Sequence, residues 1–256
     1  MATEARPRPL EGRSAVVTGV GSGLGQAIAR EFATEGALVL GCDVDDESGA
    51  ATMSGIGEYV HADVSREAEV EALIALAVER HGRLHVMVNN AAVQIEQELA
   101  ETTEEQLDRI LAVNLKGVFF GCKHAVRVMR PVGGGSIVNI ASILGLVGDG
   151  ILAAYCAAKG GVLGITRATA VQYGRDGIRC NAICPGDIDT PLVQAYFDTA
   201  DDPAALRAQV SAEYPLERIA APREIARTAV FLAGDDASFM SGQPLVVDGG
   251  LLATCY

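Results

Sequence analysis

Tyr155 and Lys159 stand four positions apart in the run Tyr155-Cys156-Ala157-Ala158-Lys159. That spacing puts both side chains on one face of a helix. A free phenol, with a pKa of about 10, is a poor base at neutral pH. A neighbouring ammonium stabilises the phenolate and makes the tyrosine a usable proton shuttle. The spacing alone also suits an ordinary helix-surface pair. A second group is Thr18-Gly19-Val20-Gly21-Ser22-Gly23-Leu24-Gly25, which follows an apolar run and opens a helical one. Glycines here permit positive φ and let backbone approach a pyrophosphate at a helix N-terminus, where unpaired N–H groups point. Asp43 follows Gly23 by about 20 residues, the separation at which an acid accepts hydrogen bonds from adenosine ribose hydroxyls. Such an acid repels a 2′-phosphate, and no Lys or Arg lies in the glycine loop or next to Asp43 to neutralise one. NAD is therefore favoured over NADP, the plainer reading of Asp43 being a strand-end surface acid.

Elements must hold these groups in register. Candidate strands are 14–18, 38–42, 58–61, 84–88, 136–140, 179–183 and 245–247, rich in Val and Ile and mostly without period-two alternation. Strands buried on both faces of a parallel sheet read this way. Helix-like segments lie near 24–35, 66–80, 103–130, 153–173 and 222–233. Val70, Leu73, Ile74, Ala77 and Val78 make one apolar helix face, and Thr102 or Thr103 with Glu105 or Gln106 suggests a capping box. The alternation predicts an α/β fold, a single-domain Rossmann-type doubly wound parallel sheet of about seven strands flanked by helices. Residues 1–11 read as a flexible lead and 12–256 as one dinucleotide-binding catalytic domain. The stretch 190–222, with Pro191, Pro203, Pro215 and Pro222, reads equally as a surface excursion or as a helical substrate lid.

Composition narrows the partners. With 33 acids against 20 bases the formal charge is −13, which disfavours nucleic acid and anionic membrane surfaces. No apolar run approaches the roughly 20 residues of a membrane-spanning helix. The six cysteines, Cys42, Cys122, Cys156, Cys180, Cys184 and Cys255, are scattered among mostly apolar neighbours. They read as reduced core thiols of a cytoplasmic protein, with no ligand set for a metal.

Taken together, these residues resemble the short-chain dehydrogenase/reductase family from about Gly12 to Gly250. Thr18, Gly19, Gly23 and Gly25 match its glycine pattern. Asp63-Val64 looks like its adenine-contacting pair, and Asn89-Asn90-Ala91 like its Asn-Asn-Ala-Gly stretch. Asn114, Ser142, Tyr155 and Lys159 match the four catalytic positions in order. Pro185, Gly186, Ile188 and Thr190 match the loop that holds the nicotinamide carboxamide, and Asp248-Gly249-Gly250 resembles the C-terminal signature. Ala92 departs from the pattern, standing where the family has glycine.

The resemblance implies NAD(H)-dependent interconversion of a secondary alcohol and a ketone by direct hydride transfer. Gly19, Ser22, Gly23, Leu24, Asp43, Asp63, Val64, Asn90, Ala91, Tyr155, Lys159, Pro185, Gly186, Ile188 and Thr190 would hold the cofactor. Tyr155 would be the acid/base, and Ser142 would orient the substrate oxygen. Lys159 would lower the Tyr155 pKa and bind the nicotinamide ribose, and Asn114 would hold a water linking Lys159 to solvent. Residues 93–96, 143–146, 150–152, Asp187 and the lid side chains Leu192, Val193, Tyr196 and Phe197 would line the substrate pocket. Most are apolar and suit a compact alcohol or ketone, whereas Gln94, Glu96 and Asp187 would suit a polyol or sugar. By resemblance the helices near 103–130 and 153–173 pack in a homotetramer, and 251–256 reaches a neighbour. An NADPH-dependent ketoacyl or carbonyl reductase is the alternative on this scaffold. A non-catalytic dinucleotide-binding regulator is argued against by the filled catalytic positions.

Overall fold

Alternate residues of each apolar strand face opposite layers, and both layers are filled in the computed structural model, which describes residues 8–254. In β1 (Ser14–Thr18), Val16 joins one hydrophobic core while Ala15 and Val17 join the other. The remaining strands are β2 (Leu38–Asp43), β3 (Gly57–His61), β4 (Val86–Asn89), β5 (Gly135–Ile140), β6 (Ile178–Pro185) and β7 (Pro244–Val247). All pairings are parallel, in the order β3-β2-β1-β4-β5-β6-β7. The chain leaves β3 at one edge and returns beside β1 as β4, so the order reverses between β1 and β4. Crevices at the carboxyl ends of strands beside such a reversal are where open α/β sheets bind ligands.

One core holds the apolar faces of α3 (Glu67–His81), α5 (Gly117–Met129) and α6 (Ala153–Tyr173). The other holds α1 (Gly23–Thr34), α2 (Asp46–Met53) and α9 (Pro222–Ala233). Glu31 of α1 is buried at the α1–α9 contact, where Arg223 Nε and Arg227 Nε lie 2.8 Å and 3.1 Å from its carboxylate oxygens. α4 (Glu104–Leu111) begins with the expected capping box between Thr103 and Gln106.

Three features depart from expectation. The segment near 103–130 is not one helix, since a π-helical turn at Ala112–Lys116 separates α4 from α5. α2 was not anticipated; Asp45 caps it by accepting from Ser48 N, and its Gly49 packs where a Cβ would meet the Tyr59 ring at 2.1 Å. Leu10, assigned to the flexible lead, is fully buried, and its N–H donates to Glu35 O at 3.1 Å. Residues 1–7 of that lead, and Cys255 and Tyr256, lie outside the described residues. Among the described cysteines, Cys42, Cys122, Cys180 and Cys184 are buried and Cys156 is half-buried, all as free thiols. No helix among the described residues is long and apolar enough to cross a membrane.

Candidate active site

A cavity of about 980 Å³ opens at the carboxyl ends of the central strands, bounded by Gly19, Asp43, Asn90, Ser142 and Pro185 among others. Its first half is built from backbone. Gly19 has φ +74°, and a Cβ on it would stand 2.8 Å from Ala91 Cα. At Gly25 a Cβ would meet Gly19 O at 1.9 Å, so only glycine permits this turn. Thr18 and Asn90 tie the glycine loop to the segment after β4. Asn90 N and Ala91 N donate to Thr18 Oγ1 at 3.0 Å and 3.1 Å, and Asn90 Nδ2 donates to Thr18 O at 2.9 Å. α1 enters through Ser22, whose extended backbone supplies no side-chain cap. The first amides of α1 are thus left for a ligand, as a pyrophosphate requires.

Asp43 closes the far end of this half. Its Oδ2 accepts from Gly21 N at 2.8 Å, and its Oδ1 accepts from Val44 N at 2.8 Å and Asp45 N at 3.1 Å. Three acids crowd the adjacent start of α2: Asp45, Asp46 and Glu47 follow Asp43 with only Val44 between. Asp63 Oδ1 accepts from Ser65 N and Oγ at 2.9 Å and 2.7 Å. Burial raises the Asp63 pKa, but the Ser65 hydrogen bonds and the charges of Arg109 and Arg66 hold it below the ordinary value. These donors and acceptors fit a dinucleotide: the bare amides would take the phosphates, the fixed Asp43 carboxylate would take the ribose, and Asp63 would face the adenine.

The other half carries Ser142, Tyr155 and Lys159. Ser142 follows β5 and opens a 3₁₀ turn, its Oγ accepting from Leu144 N at 3.1 Å. Tyr155 and Lys159 sit one turn apart on α6, with Lys159 Nζ 5.4 Å from the Tyr155 ring centroid and donating to Ile140 O at 2.8 Å. Burial lowers the Lys159 pKa to about 8. Burial likewise pushes the Tyr155 phenol up to about 12, against its hydrogen bond with Ser142, and the negative charge of Asp187 adds to the rise. The lowering expected from Lys159 is not what sets this phenol: desolvation is the largest influence, and Lys159 is not among the groups that shift it.

Asn114 alone among the four candidate catalytic residues stands off the cavity wall, which its neighbour Val113 lines instead. It is fully buried in the π-helical turn. Its Oδ1 accepts from Val93 N and its Nδ2 donates to Val93 O, both at 2.8 Å. The side-chain amide thus completes the backbone of the segment after β4, using one of its two N–H donors and one lone pair of its oxygen. Gly19, Ser22, Gly23, Leu24, Asp43, Asp63, Val64, Asn90, Ala91, Pro185, Gly186, Ile188 and Thr190 all line the same cavity. Ala92 also lines it and has no left-handed backbone, so its methyl brings no strain.

The stretch 190–222 folds as α7 (Pro191–Phe197) and α8 (Pro203–Glu213). Phe197, Tyr214 and Ile219 form a small core beneath them. Sequence reasoning passed over Tyr214, a buried residue whose hydroxyl reaches the loop after β6. It stands in no periodic pattern, and only its position before Pro215 marks it. Leu251 and Leu252 also line the cavity.

A family model described as Enoyl-(Acyl carrier protein) reductase matches residues 19–252. The chain is 43% identical over 247 residues to cis-4-hydroxycyclohexanecarboxylate dehydrogenase of Sinomonas cyclohexanicum, covering 94% of this chain and 97% of that protein. It is 40% identical over 251 residues to 2-(R)-hydroxypropyl-CoM dehydrogenase of Xanthobacter autotrophicus, covering 94% and 99%. The crystal structure of levodione reductase superposes with a TM-score of 0.92 at 37% identity, covering 96% of this chain and all of that one. With its parallel seven-stranded sheet, glycine loop and Tyr-Lys helix, the chain belongs to the short-chain dehydrogenase/reductase family.

Proposed function

We propose that the protein interconverts a compact secondary alcohol and a ketone with NAD(H), using Tyr155 as the acid/base. The observation that carries this reading is the meeting of the Ser142 hydroxyl, the Tyr155 phenol and the buried Lys159 on the cavity that the glycine loop and Asp43 also line. The dinucleotide, when bound, supplies the hydride acceptor or donor at its nicotinamide ring. In oxidation the Tyr155 phenolate takes the hydroxyl proton of the substrate; in reduction the phenol returns one to the carbonyl oxygen. Ser142 orients that oxygen. Lys159 supplies positive charge beside the ring and a donor for the nicotinamide ribose. Asn114 acts through Val93, holding the segment that carries Ala91 and Ala92.

The preference for NAD rests on Asp43, whose three backbone hydrogen bonds fix a negative charge where a 2′-phosphate would come. The neighbouring acids Asp45, Asp46 and Glu47 reinforce it. Val93, Ile143, Val147, Leu192 and Phe197 give the substrate half an apolar wall. α7 and α8 act as its lid. A homotetramer working in the cytoplasm is the assembly and location that best suit the reading.

The test is NAD reduction measured against secondary alcohols. Turnover by the wild type, with Tyr155→Phe folded but reduced about 100-fold or more in kcat, is expected for loss of an acid/base. Near-normal kcat in that variant, or a kcat/KM favouring NADP, would reject the corresponding part of the proposal.

A further inference from the structure

Asp187 follows Pro185-Gly186 on the cavity wall, beside Tyr155. Its backbone is pinned on both sides, the N–H donating to Tyr214 Oη at 2.7 Å and the carbonyl accepting from Ala220 N at 2.9 Å. Tyr214 Oη donates in turn to Asp187 Oδ2 at 2.8 Å. The tyrosine can reach so far because residue 186 is glycine: a Cβ there would stand 2.9 Å from the Tyr214 ring and 3.0 Å from its hydroxyl. One carboxylate oxygen is thereby fixed, and Oδ1 accepts no hydrogen bond from a described residue. Nothing in the transfer of a hydride requires this carboxylate. Its charge opposes formation of the Tyr155 phenolate, so its presence calls for another use.

The remaining charge on the substrate half has the same sign. Glu96, Asp149 and Glu213 line the cavity with Asp187. The cationic residues on the wall are Arg109, whose charge acts on Asp63 at the adenine end, and Lys159, already bonded to Ile140 O. A substrate carboxylate, sulfonate or phosphate would meet repulsion and, among the described residues lining the wall, no cation beyond these two.

Resting on the dehydrogenase reading above, we infer that Asp187 is a specificity residue whose free oxygen accepts a hydrogen bond from a second hydroxyl of a neutral substrate. Tyr214 is the positioning residue that aims it. The substrate class is a neutral diol or hydroxyketone; monofunctional alcohols bind without this contact, and hydroxyacid anions are turned away.

The test compares kcat/KM with NAD for 2,3-butanediol, 2-butanol and 3-hydroxybutyrate in the wild type, Asp187→Asn and Tyr214→Phe. The wild type is expected to favour the diol over 2-butanol by about tenfold or more, the scale of one hydrogen bond to a charged group. Asp187→Asn should lose most of that ratio through a higher KM for the diol and raise the relative rate on 3-hydroxybutyrate. Tyr214→Phe should lose part of the ratio, and it serves also if the Asn variant fails to fold. Oxidation of 2-butanol with a diol ratio near one, or a ratio unchanged in both variants, overturns this inference and leaves the proposed function standing. Preference for the anion overturns it equally. Failure of the wild type to oxidise any of the neutral alcohols removes the proposed function and this inference together.

Discussion

At the residue scale the catalytic pair makes a pH signature. Tyr155 is pushed up to about 12 and Lys159 down to about 8, both by burial. Oxidation uses a phenolate beside a charged lysine. Below about 8 the lysine keeps its charge and the phenolate fraction grows with pH. Between about 8 and about 12, further phenolate is offset by lost ammonium. Reduction uses the neutral phenol, present throughout that range, beside the same charged lysine. Oxidation kcat/KM should therefore climb towards about pH 8 and level off, while reduction should be flat below about 8 and decline above it. A flat oxidation profile on the acid side would contradict the roles given to both residues. The sequence made the pair legible through its helical spacing and the glycine loop through its pattern, because both are local. Burial of the phenol is not local: it is set by the walls that β5, β6 and the loop after β6 bring together. The sign of the Tyr155 shift was accordingly missed, as was the use of the Asn114 amide on Val93.

At the element scale, strands buried on both faces betray themselves by uninterrupted apolar runs, and the strands were found with shifts of a residue or two. α2 escaped because Asp46–Met53 has no apolar stripe and contains Gly49, which is required by the Tyr59 ring rather than by any local rule. The break between α4 and α5 escaped for a similar reason, since the sequence through Ala112–Lys116 has no glycine or proline to announce it. The contact between α1 and α9 hides a polar device. Glu31 has a side chain 7% exposed, whereas Arg223 and Arg227 are 63% and 57% exposed. Burial would raise the Glu31 pKa, but the two arginine hydrogen bonds hold it below the ordinary value. Its contribution to stability is thus present above the unfolded carboxylate pKa and is lost as pH falls through the folded one. The two halves of the device are unequal. Glu31→Gln leaves two solvated arginines and should cost about 1 kcal/mol. Arg223→Ala with Arg227→Ala strands a buried carboxylate and should cost more than Glu31→Gln, short of breaking a fully buried pair because both arginines reach water. Thermal melts should show the double variant lower by a few degrees than Glu31→Gln, at roughly 2–4 °C per kcal/mol in a chain of this length. Equal melting temperatures would mean that Glu31 is hydrated rather than held.

At the scale of the whole molecule the sheet has two unlike edges. β3 carries the exposed Glu58 and His61, with Arg80 and His81 both 3.8 Å from the Glu58 carboxylate. Charge of this kind blunts an edge against further association. β7 carries Pro244, Leu245, Val246 and Val247 and no charge, and the fully exposed Phe239 precedes it in the chain. On α5 and α6, Phe119 and Val171 are 52% and 84% exposed. Two separate apolar faces on one chain are what a tetramer of dihedral symmetry needs, one for each kind of two-fold contact. Light scattering should give four chain masses for the wild type. Phe239→Asp should open the β7-side contact and leave dimers, and Val171→Asp should weaken the other. The two losses should also differ in function. β7 runs directly into Asp248, which accepts from Gly250 N at 3.0 Å and Leu252 N at 2.8 Å and so sets the two leucines on the cavity wall. Dissociation at β7 should therefore raise the KM for the alcohol, whereas dissociation at α5 and α6 should act on the Tyr155–Lys159 helix and lower kcat. A monomeric wild type of full activity would refute both the assembly and this division of its effects.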